Sequence, residues 1–564
     1  MEGFEFYLTD SLAKVFATWR PAAAGEMFKI NIFQGEVPAV QLVYKKEHGH
    51  QGMSLQKHFA YRIEGGVFCA RVRDVELVPS TFPCYEVTDD NYLTSEPGLF
   101  PDLLKPRRNN VITPIGGQYR SLWIDFPDTG QIPAGEYLIE ILIEDLEEKE
   151  KIVETLFFRI EVTGERLPVQ TLIHTEWFHA DCLADYYHVE VFSEKHWEIL
   201  EHQIMLAGKE LGINMLLTPV FTPPLDTDVG GKRTTVQLVD ITRQDGRYFF
   251  GFERLTRWCA ICRRAGIGHI EIPHLFTQWG AKATPNIYGK EAGEEKQFFG
   301  WHVAADSEEY RRFLEDFLPA LQRELAGLGY DREHVYFHIS DEPEQEHLES
   351  YRKATERVAD LLDGWQIVDA LSDYSFYEQG LIKHPIPANN RIQPFVEHGV
   401  PDLWVYYCCA QYKEVPNRFF AMPSARNRIM GVLMYLYRIK GFLHWGYNFY
   451  NSQYSVEHID PFLNTHAGYA FPSGDTFLVY PGMDGKPWSS IRAEVQREGI
   501  YDYLALMRLE EMIGRERTVA LVMEGERCEF TFESYPTDPG YFCRLRARVA
   551  EEMKRRLQNH VFVV

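Results

Sequence analysis

A β-sandwich followed by a (β/α)8 TIM-type barrel, closed by a small C-terminal appendage, is the multidomain β plus α/β fold this sequence predicts. Three observations lead there. The chain has 564 residues, too many for one ordinary core. Residues 1 to about 165 carry period-two apolar runs broken by Pro and Gly, with no long helical pattern. After residue 168 strand-like and helix-like segments alternate, eight times over roughly 330 residues.

The sandwich, expected over residues 1–167, is read from Phe28 to Phe33, Ser121 to Phe126, Tyr137 to Ile143 and Thr155 to Val162. Each alternates apolar and polar side chains, the pattern of a half-buried strand. Gly135-Glu136-Tyr137 resembles the start of a late sandwich strand, and Leu167-Pro168 is the expected joint.

The barrel is expected over 168–515. Its strands are predicted to begin near Thr171, Asn214, His269, Val335, Gln366, Ile386, Leu403 and Gly441. The sixth unit carries the faintest pattern. Helices are predicted over Glu194–Leu211, Phe252–Ala265, Ser307–Leu328, Glu346–Leu362 and Ala425–Ile439, with a closing helix over Ser489–Met512. Ser307 before Glu308 and Glu309 reads as an N-cap with early acids. Gly212, Gly266, Gly364 and Gly441 stand where helices should end. Asp245-Gly246 between two alternating runs predicts a hairpin after strand 2, rising as a wall from the C-terminal rim. The appendage, 516–564, is read as a hairpin (Thr518 to Met523, Cys528 to Phe532) and a last helix, packed on the barrel.

Composition narrows the function. Net charge is −24, which repels phosphate backbones, so nucleic acid is not an expected partner. Aromatic residues make up 14% of the chain, a level that suits either sugar stacking or a large aromatic core. The nine cysteines are scattered, with no framework spacing, and read as reduced thiols. Cys259 and Cys262 fall within an amphipathic helical pattern and have no second pair at zinc-like spacing. No metal site and no cofactor are expected. No apolar run approaches the ~18 residues of a membrane helix, and Met1 to Phe6 lack the basic and apolar regions of a leader. A cytoplasmic protein without a membrane partner is the expectation.

The chemistry is expected at Asp341-Glu342, where the alternating run Val335 to Ile339 gives way to a loop. Catalytic groups of (β/α)8 enzymes sit at such strand ends. Neighbouring carboxylates raise each other's proton affinity, which favours one protonated acid beside one charged partner. As sequence neighbours in an ideal strand their side chains would diverge, so the backbone must bend for both to face one ligand. Pro343 is expected to hold Glu342 extended. His338 either lines the site or is a hydrogen-bonded core histidine. Polar and aromatic residues cluster at other strand ends, and Trp279, Tyr374, Tyr406, Trp445 and Asn448 are the candidate sugar-contacting residues. Asp475 is read as a turn or cap residue, with hydroxyl binding as the alternative.

The stretch Phe337-His338-Ile339-Ser340-Asp341-Glu342-Pro343 resembles the Ser-Asp-Glu-Pro signature of glycoside hydrolase family 123. Thr476 to Gly482, Ser489 to Arg492 and Arg497 to Tyr503 resemble the closing segment of that family and its broad relatives. The order sandwich then barrel is also theirs, so the resemblance spans nearly the whole chain. It implies an exo-acting, retaining β-N-acetylgalactosaminidase that works by substrate assistance on an oligosaccharide or glycoconjugate. The substrate's own 2-acetamido oxygen attacks the anomeric carbon and forms an oxazolinium ion, an exception to the two-carboxylate scheme. Carried over by position, Glu342 is the general acid and then the base. Asp341 holds the acetamido N–H and stabilises the developing positive charge.

Two other readings are open. One is a glycosidase of different sugar specificity, which would need another nucleophile, with Glu176 or Glu271 as candidates. The other is a catalytically silent carbohydrate-binding or scaffolding protein.

Overall fold

The computed structural model describes residues 3–25, 28–47, 57–148 and 151–561, with side chains through 556. These residues form two compact units: 1–170 with 416–436 and 488–564, and 171–415 with 437–487.

The first unit holds two five-stranded sheets. One orders its strands Phe4–Asp10, Ala39–Lys46, Tyr119–Asp125, Arg71–Ser80 and Gly98–Pro106. The other orders Lys29–Gln34, Lys151–Arg166, Gly135–Asp145, Phe59–Glu64 and Val111–Ile112. Leu42, Leu122 and Ile124 of the first sheet and Ile139, Ile141 and Phe158 of the second share one core. That is the sandwich the period-two runs imply.

The same unit contains helices Ser424–Leu436, Ile491–Ile513, Arg515–Met523 and Gly540–Val561. The helices that follow barrel strands 7 and 8 therefore group with the sandwich. Buried ion pairs hold Ile491–Ile513 there. Arg492 grips Asp102 through two bonds of 2.9 Å, and Arg73 links Glu494 to Asp125 at 2.6 Å each. Ser490 caps the helix, its Oγ accepting from Ala493 N at 3.1 Å. The Arg-rich closing block thus fastens a helix to a sheet.

The expected hairpin at 518–532 is absent. Residues Arg515–Met523 are helical, and 528–532 form no strand. The β-branched Thr518-Val519 suggested a strand, but Glu516, Arg517, Ala520, Leu521 and Met523 are strong helix formers. Thr518 and Val522, four apart, bury one face.

The second unit is built on eight parallel strands: Ile173–Glu176, Met215–Leu217, His269–Glu271, Val335–Phe337, Gln366–Ala370, His384–Ile386, Trp404–Tyr406 and Gly441–His444. Numbered 1 to 8 along the chain, they run 6-5-4-3-2-1-8-7. Asn389 N donating to Tyr406 O (2.9 Å) and Tyr406 N to Pro387 O (3.1 Å) join 6 to 7 and close the barrel. Its interior is packed with Ile173, Met215, Leu217, Tyr336, Val368, Trp404 and Leu443. Glu308–Gly327 shows how sequence sets a helix here: Ser307 Oγ accepts from Tyr310 N, and seven buried apolar residues from Tyr310 to Leu325 make one face.

The predicted hairpin exists and belongs to a larger sheet. Asp240–Gln244 and Arg247–Gly251 pair across Asp245 (φ 49°) and Gly246 (φ 75°), a two-residue turn with both φ positive. Ile287–Glu291 and Glu294–Phe299 extend it to four strands.

In the first unit, helices Ser424–Leu436 and Ile491–Ile513 approach at Gly431 and Gly499. A Cβ at Gly431 would lie 1.8 Å from Gly499 O. Gly431→Ala should therefore destabilise by at least about 1–3 kcal/mol, read as a lowered urea midpoint. An unchanged midpoint would refute the close approach.

Candidate active site

The chain leaves strand 4 laced between its neighbours. Leu275 N donates to His338 O (3.0 Å), Phe276 N to Ile339 O (3.1 Å) and Trp279 N to Asp341 O (3.1 Å). On the strand 5 side, Glu342 N donates to Ala370 O at 3.1 Å. Ser340 Oγ adds a bond to Thr277 O at 2.9 Å. These contacts hold Asp341 and Glu342 at the C-terminal rim.

The bend between the two carboxylates comes from Glu342 itself. Its φ is +42°, left-handed, where an extended residue before Pro343 was expected. The hydrogen bonds from both flanking strands outweigh the preference for extended backbone before proline. The result is that both carboxylates line one cavity of about 250 Å³, together with Trp177, His179, Asp226, Gln278, Trp279, Tyr406, Cys409 and Trp445. A wider hollow of about 550 Å³ at Lys282, His347 and Arg357 has no Phe, Tyr or Trp in its lining. Chemistry rather than size singles out the first.

Three of the five candidate contact residues meet here. Tyr406 donates its hydroxyl to Glu342 Oε1 at 2.7 Å. Trp445 is aimed by Asp475, whose Oδ2 accepts from the indole Nε1 at 2.9 Å. Asp475 is fully buried and does not line the cavity, so its place is under Trp445 rather than on a hydroxyl. Trp279 sits at the mouth, 41% exposed, with its ring edge-on to Tyr454.

The other two lie elsewhere. Asp373 caps the helix Tyr374–Glu378 and turns the chain away, so Tyr374 stacks on His398 at 4.5 Å instead of facing the cavity. Asn448 is buried and bonds both ways with the His179 backbone, 2.8 Å from its N–H and 3.2 Å to its carbonyl. Both are packing roles that residue type alone does not reveal.

Sequence reasoning passed over Asp226, Gln278 and His179. Asp226 follows strand 2 in an irregular loop without periodicity. Gln278 and His179 stood inside the strand-end clusters, but an amide and a histidine carry no signal of direction. His179 takes a fixed tautomer, its Nε2–H donating to Trp445 O (2.9 Å) and its Nδ1 accepting from Arg233 (2.9 Å). Burial, then the Arg233 charge, brings its pKa down to about 3. It is neutral at physiological pH and positions Trp445.

Beneath the cavity lies a buried ionic bridge. His338 Nε2 is 2.7 Å from Glu271 Oε1, and Nδ1 is 3.1 Å from Asp369 Oδ1. A neutral imidazole has one N–H, so donating to both carboxylates requires imidazolium. Burial alone would lower the His338 pKa, but the bonds to Asp369 and Glu271 reverse that and raise it to about 9. His338, read as pocket-lining or core, is core. Glu176 is also fully buried, next to His174 and His444.

Above the bridge, burial raises the Asp341 pKa well above the carboxylate range, and the neighbouring Glu342 raises it further. Burial raises Glu342 too, while the Tyr406 hydroxyl pulls it down. Burial brings Asp226 up to about 6. The pocket therefore holds protons near neutral pH, as acid–base chemistry requires.

Residues 177–509 match the model of the glycoside hydrolase 123 catalytic domain. The chain belongs to glycoside hydrolase family 123. It is a glycosidase, and its substrate is a carbohydrate. A solved structure of a family 123 glycoside hydrolase from Clostridium perfringens, described in connection with glycolipid glycan hydrolysis, superposes with a TM-score of 0.72. At 15% identity the superposition covers 100% of this chain and 99% of the other, so the whole two-part fold is shared. A family 5 mannosidase from Rhizomucor miehei covers 64% of this chain and 97% of its own at 13% identity and a TM-score of 0.30, too low to carry an argument. No curated protein matches the chain. Among the described residues no helix is long and apolar enough to cross a membrane, and all nine cysteines are free thiols.

The bridge makes a pH prediction. The His338 pKa is raised on folding, from about 6.5 to about 9. Its stabilisation is thus full below about pH 6.5 and is lost as pH rises through about 9, a difference of about 3 kcal/mol. His338→Gln should be less stable than wild type at pH 6.5 by urea unfolding, and the gap should narrow by about pH 9.5. A gap that stays constant across that range contradicts a protonated bridge.

Proposed function

We propose that this glycosidase is exo-acting and retaining, removes terminal β-linked N-acetylgalactosamine, and uses the substrate's acetamido group as its nucleophile. The observation that carries the reading is the pair itself: adjacent carboxylates bent into one small cavity. Glu176 and Glu271, the alternative nucleophiles from other strand ends, are fully buried among hydrogen-bond partners. The cavity, at about 250 Å³, is below the ~300–1,000 Å³ of drug-sized ligand sites, a size that suits one terminal ring. Both carboxylates then act on one region, the anomeric centre and its 2-substituent.

The pair shares a proton and titrates as a unit. In the empty cavity Tyr406 favours charge on Glu342, which leaves the proton on Asp341. An acetamido N–H donated to Asp341 reverses this preference: the Asp341 carboxylate is stabilised and the proton passes to Glu342. Glu342 protonates the leaving oxygen as the acetamido oxygen attacks the anomeric carbon. It then takes a proton from the water that opens the oxazolinium ion, with net retention. Trp445 and Trp279 cover apolar sugar faces. The natural substrate is an oligosaccharide or glycoconjugate, a class that includes the glycolipid glycans named for the Clostridium enzyme.

Aryl β-GalNAc, β-GlcNAc and β-Gal substrates test this. Wild type should cleave a 2-acetamido sugar and be inhibited by a thiazoline analogue. Glu342→Gln and Asp341→Asn should each lose roughly 10²–10⁴-fold in kcat. Turnover of β-Gal that survives Asp341→Asn would overturn substrate assistance. Binding without turnover on every sugar would indicate a silent lectin-like protein.

A second measurement reads the shared proton. Tyr406→Phe removes a donor that lowers the Glu342 pKa. The alkaline limb of kcat, where Glu342 loses its proton in the substrate complex, should move up by about one pH unit, as expected for a hydrogen bond to a charged group. A downward or absent shift contradicts the assigned contact.

A further inference from the structure

Two polar groups in the cavity have no part in the chemistry above. Asp226 N donates to Gln278 Oε1 at 2.7 Å. A backbone N–H can meet only the oxygen of an amide, so this bond fixes which way the Gln278 side chain is turned. Its Nε2 then faces the other way. Gln278 is 5% exposed, and Nε2 has no protein hydrogen-bond partner among the described residues. Asp226 Oδ2 is buried and lacks a protein partner in the same sense. A buried donor and a buried acceptor left open on two residues of one cavity wall each carry a desolvation cost, which a ligand would recover.

The surroundings hold the two in place. Asp226 has φ +46°, strained for a non-glycine residue. Ser455 Oγ donates to its carbonyl at 2.9 Å, and the N–H groups of Tyr454 and Ser455 face its carboxylate. Tyr454 and Ser455 themselves have φ of 58° and 53°. Trp279, next to Gln278, is tied to Asp341 O through its own N–H. Loops after strands 2, 3 and 8 thus converge on one donor–acceptor pair in the wall of the cavity.

We propose that Asp226 and Gln278 are a hydroxyl clamp that sets which sugar the cavity accepts: Asp226 Oδ2 accepts from one ring hydroxyl, and Gln278 Nε2 donates to the oxygen of another. The assignment rests on reading the cavity as a sugar subsite. Asp341 attends to the 2-substituent, so the clamped groups are among the hydroxyls at C3, C4 and C6. Neither residue moves a proton in the reaction. They fix the ring against Asp341 and Glu342, and a hydrogen-bonding site of this kind rejects sugars that lack the partner.

The test pairs variants with deoxy sugars. Wild type, Asp226→Ala and Gln278→Ala are assayed on the aryl β-glycoside that wild type cleaves, and on its 3-, 4- and 6-deoxy analogues. Wild type should lose about 10²-fold or more in kcat/KM on two analogues. Each variant should lose a similar factor on the parent sugar but little more on the analogue lacking its own hydroxyl, a cycle that isolates the contact. An equal loss on every sugar in either variant overturns the clamp; so would Asp226 acting as nucleophile, which gives the same uniform loss. The isosteric Asp226→Asn and Gln278→Glu carry the comparison if an alanine variant does not fold. If the acetamido reading fails, the parent sugar changes and the deoxy comparison still stands. If no sugar is cleaved, the same cycle is read as Kd from tryptophan fluorescence.

Discussion

Glu271 and Asp369 come from strands 3 and 5, fully buried, with His338 of the intervening chain between them. Two carboxylates in a barrel core are costly unless every oxygen finds a donor. His338 supplies two donors. Trp177 Nε1 (2.8 Å) and Thr175 Oγ1 complete Glu271, and Tyr351 Oη (2.6 Å) with Ile339 N (3.0 Å) complete Asp369. The bridge therefore sets the height and orientation at which strand 4 ends, three residues before Asp341. It also fills the barrel floor with committed charge, so Glu271 and Asp369 are spent on the bridge, while Asp341 and Glu342 line the cavity. His274 packs against His338 with ring centroids 4.4 Å apart. Burial and then the His338 charge hold it neutral, so the floor carries one imidazolium and not two.

Backbone strain collects directly above. Asp226, Trp279, Ala281, Glu342, Tyr454 and Ser455 all have positive φ without being glycine. Each costs of order 1 kcal/mol or more and persists where neighbours over-determine it. The lacing explains how: Trp279 N to Asp341 O, Glu342 N to Ala370 O and Ser455 Oγ to Asp226 O each join one strained segment to another loop. The rim is a mutually supporting set rather than separate loops on a rigid barrel. Geometry at Glu342 consequently depends on residues that never touch a sugar.

Much of this was legible in the sequence, for physical reasons. Strand starts could be placed because buried parallel strands are short apolar runs and their helices carry a 3.6-residue period. The pair could be placed because it follows a strand. Tyr374 and Asn448 show where residue type fails: one is carried off by an Asp373 cap, the other spent on the His179 backbone. The helix at 515–523 shows helix propensity prevailing over an apparent strand pattern, since the three β-branched residues Thr518, Val519 and Val522 stand among strong helix formers. Asp226 was invisible because its position depends on a left-handed turn and on contacts from loops far along the chain. The Arg492 to Tyr503 block was recognisable, but its meaning was not. Its charges are structural, holding a helix against Asp102 and Asp125.

The left-handed Glu342 joins these threads. Two adjacent residues can face one ligand only if the backbone between them departs from the strand, and Pro343 opposes the conformation that achieves it. The departure is held from both sides, by the loop after strand 3 through Asp341 O and by the end of strand 5 through Glu342 N. Strand 3, which leads into that loop, and strand 5 are joined by the Glu271–His338–Asp369 bridge. A charge pattern in the barrel floor thus supports a strained dihedral at the rim, and that dihedral brings two carboxylates to one cavity. Tyr406 then makes them unequal, because its hydroxyl reaches Glu342 alone. Adjacency, strain and inequality belong together: one left-handed residue brings both carboxylates to one cavity, and one hydroxyl distinguishes them.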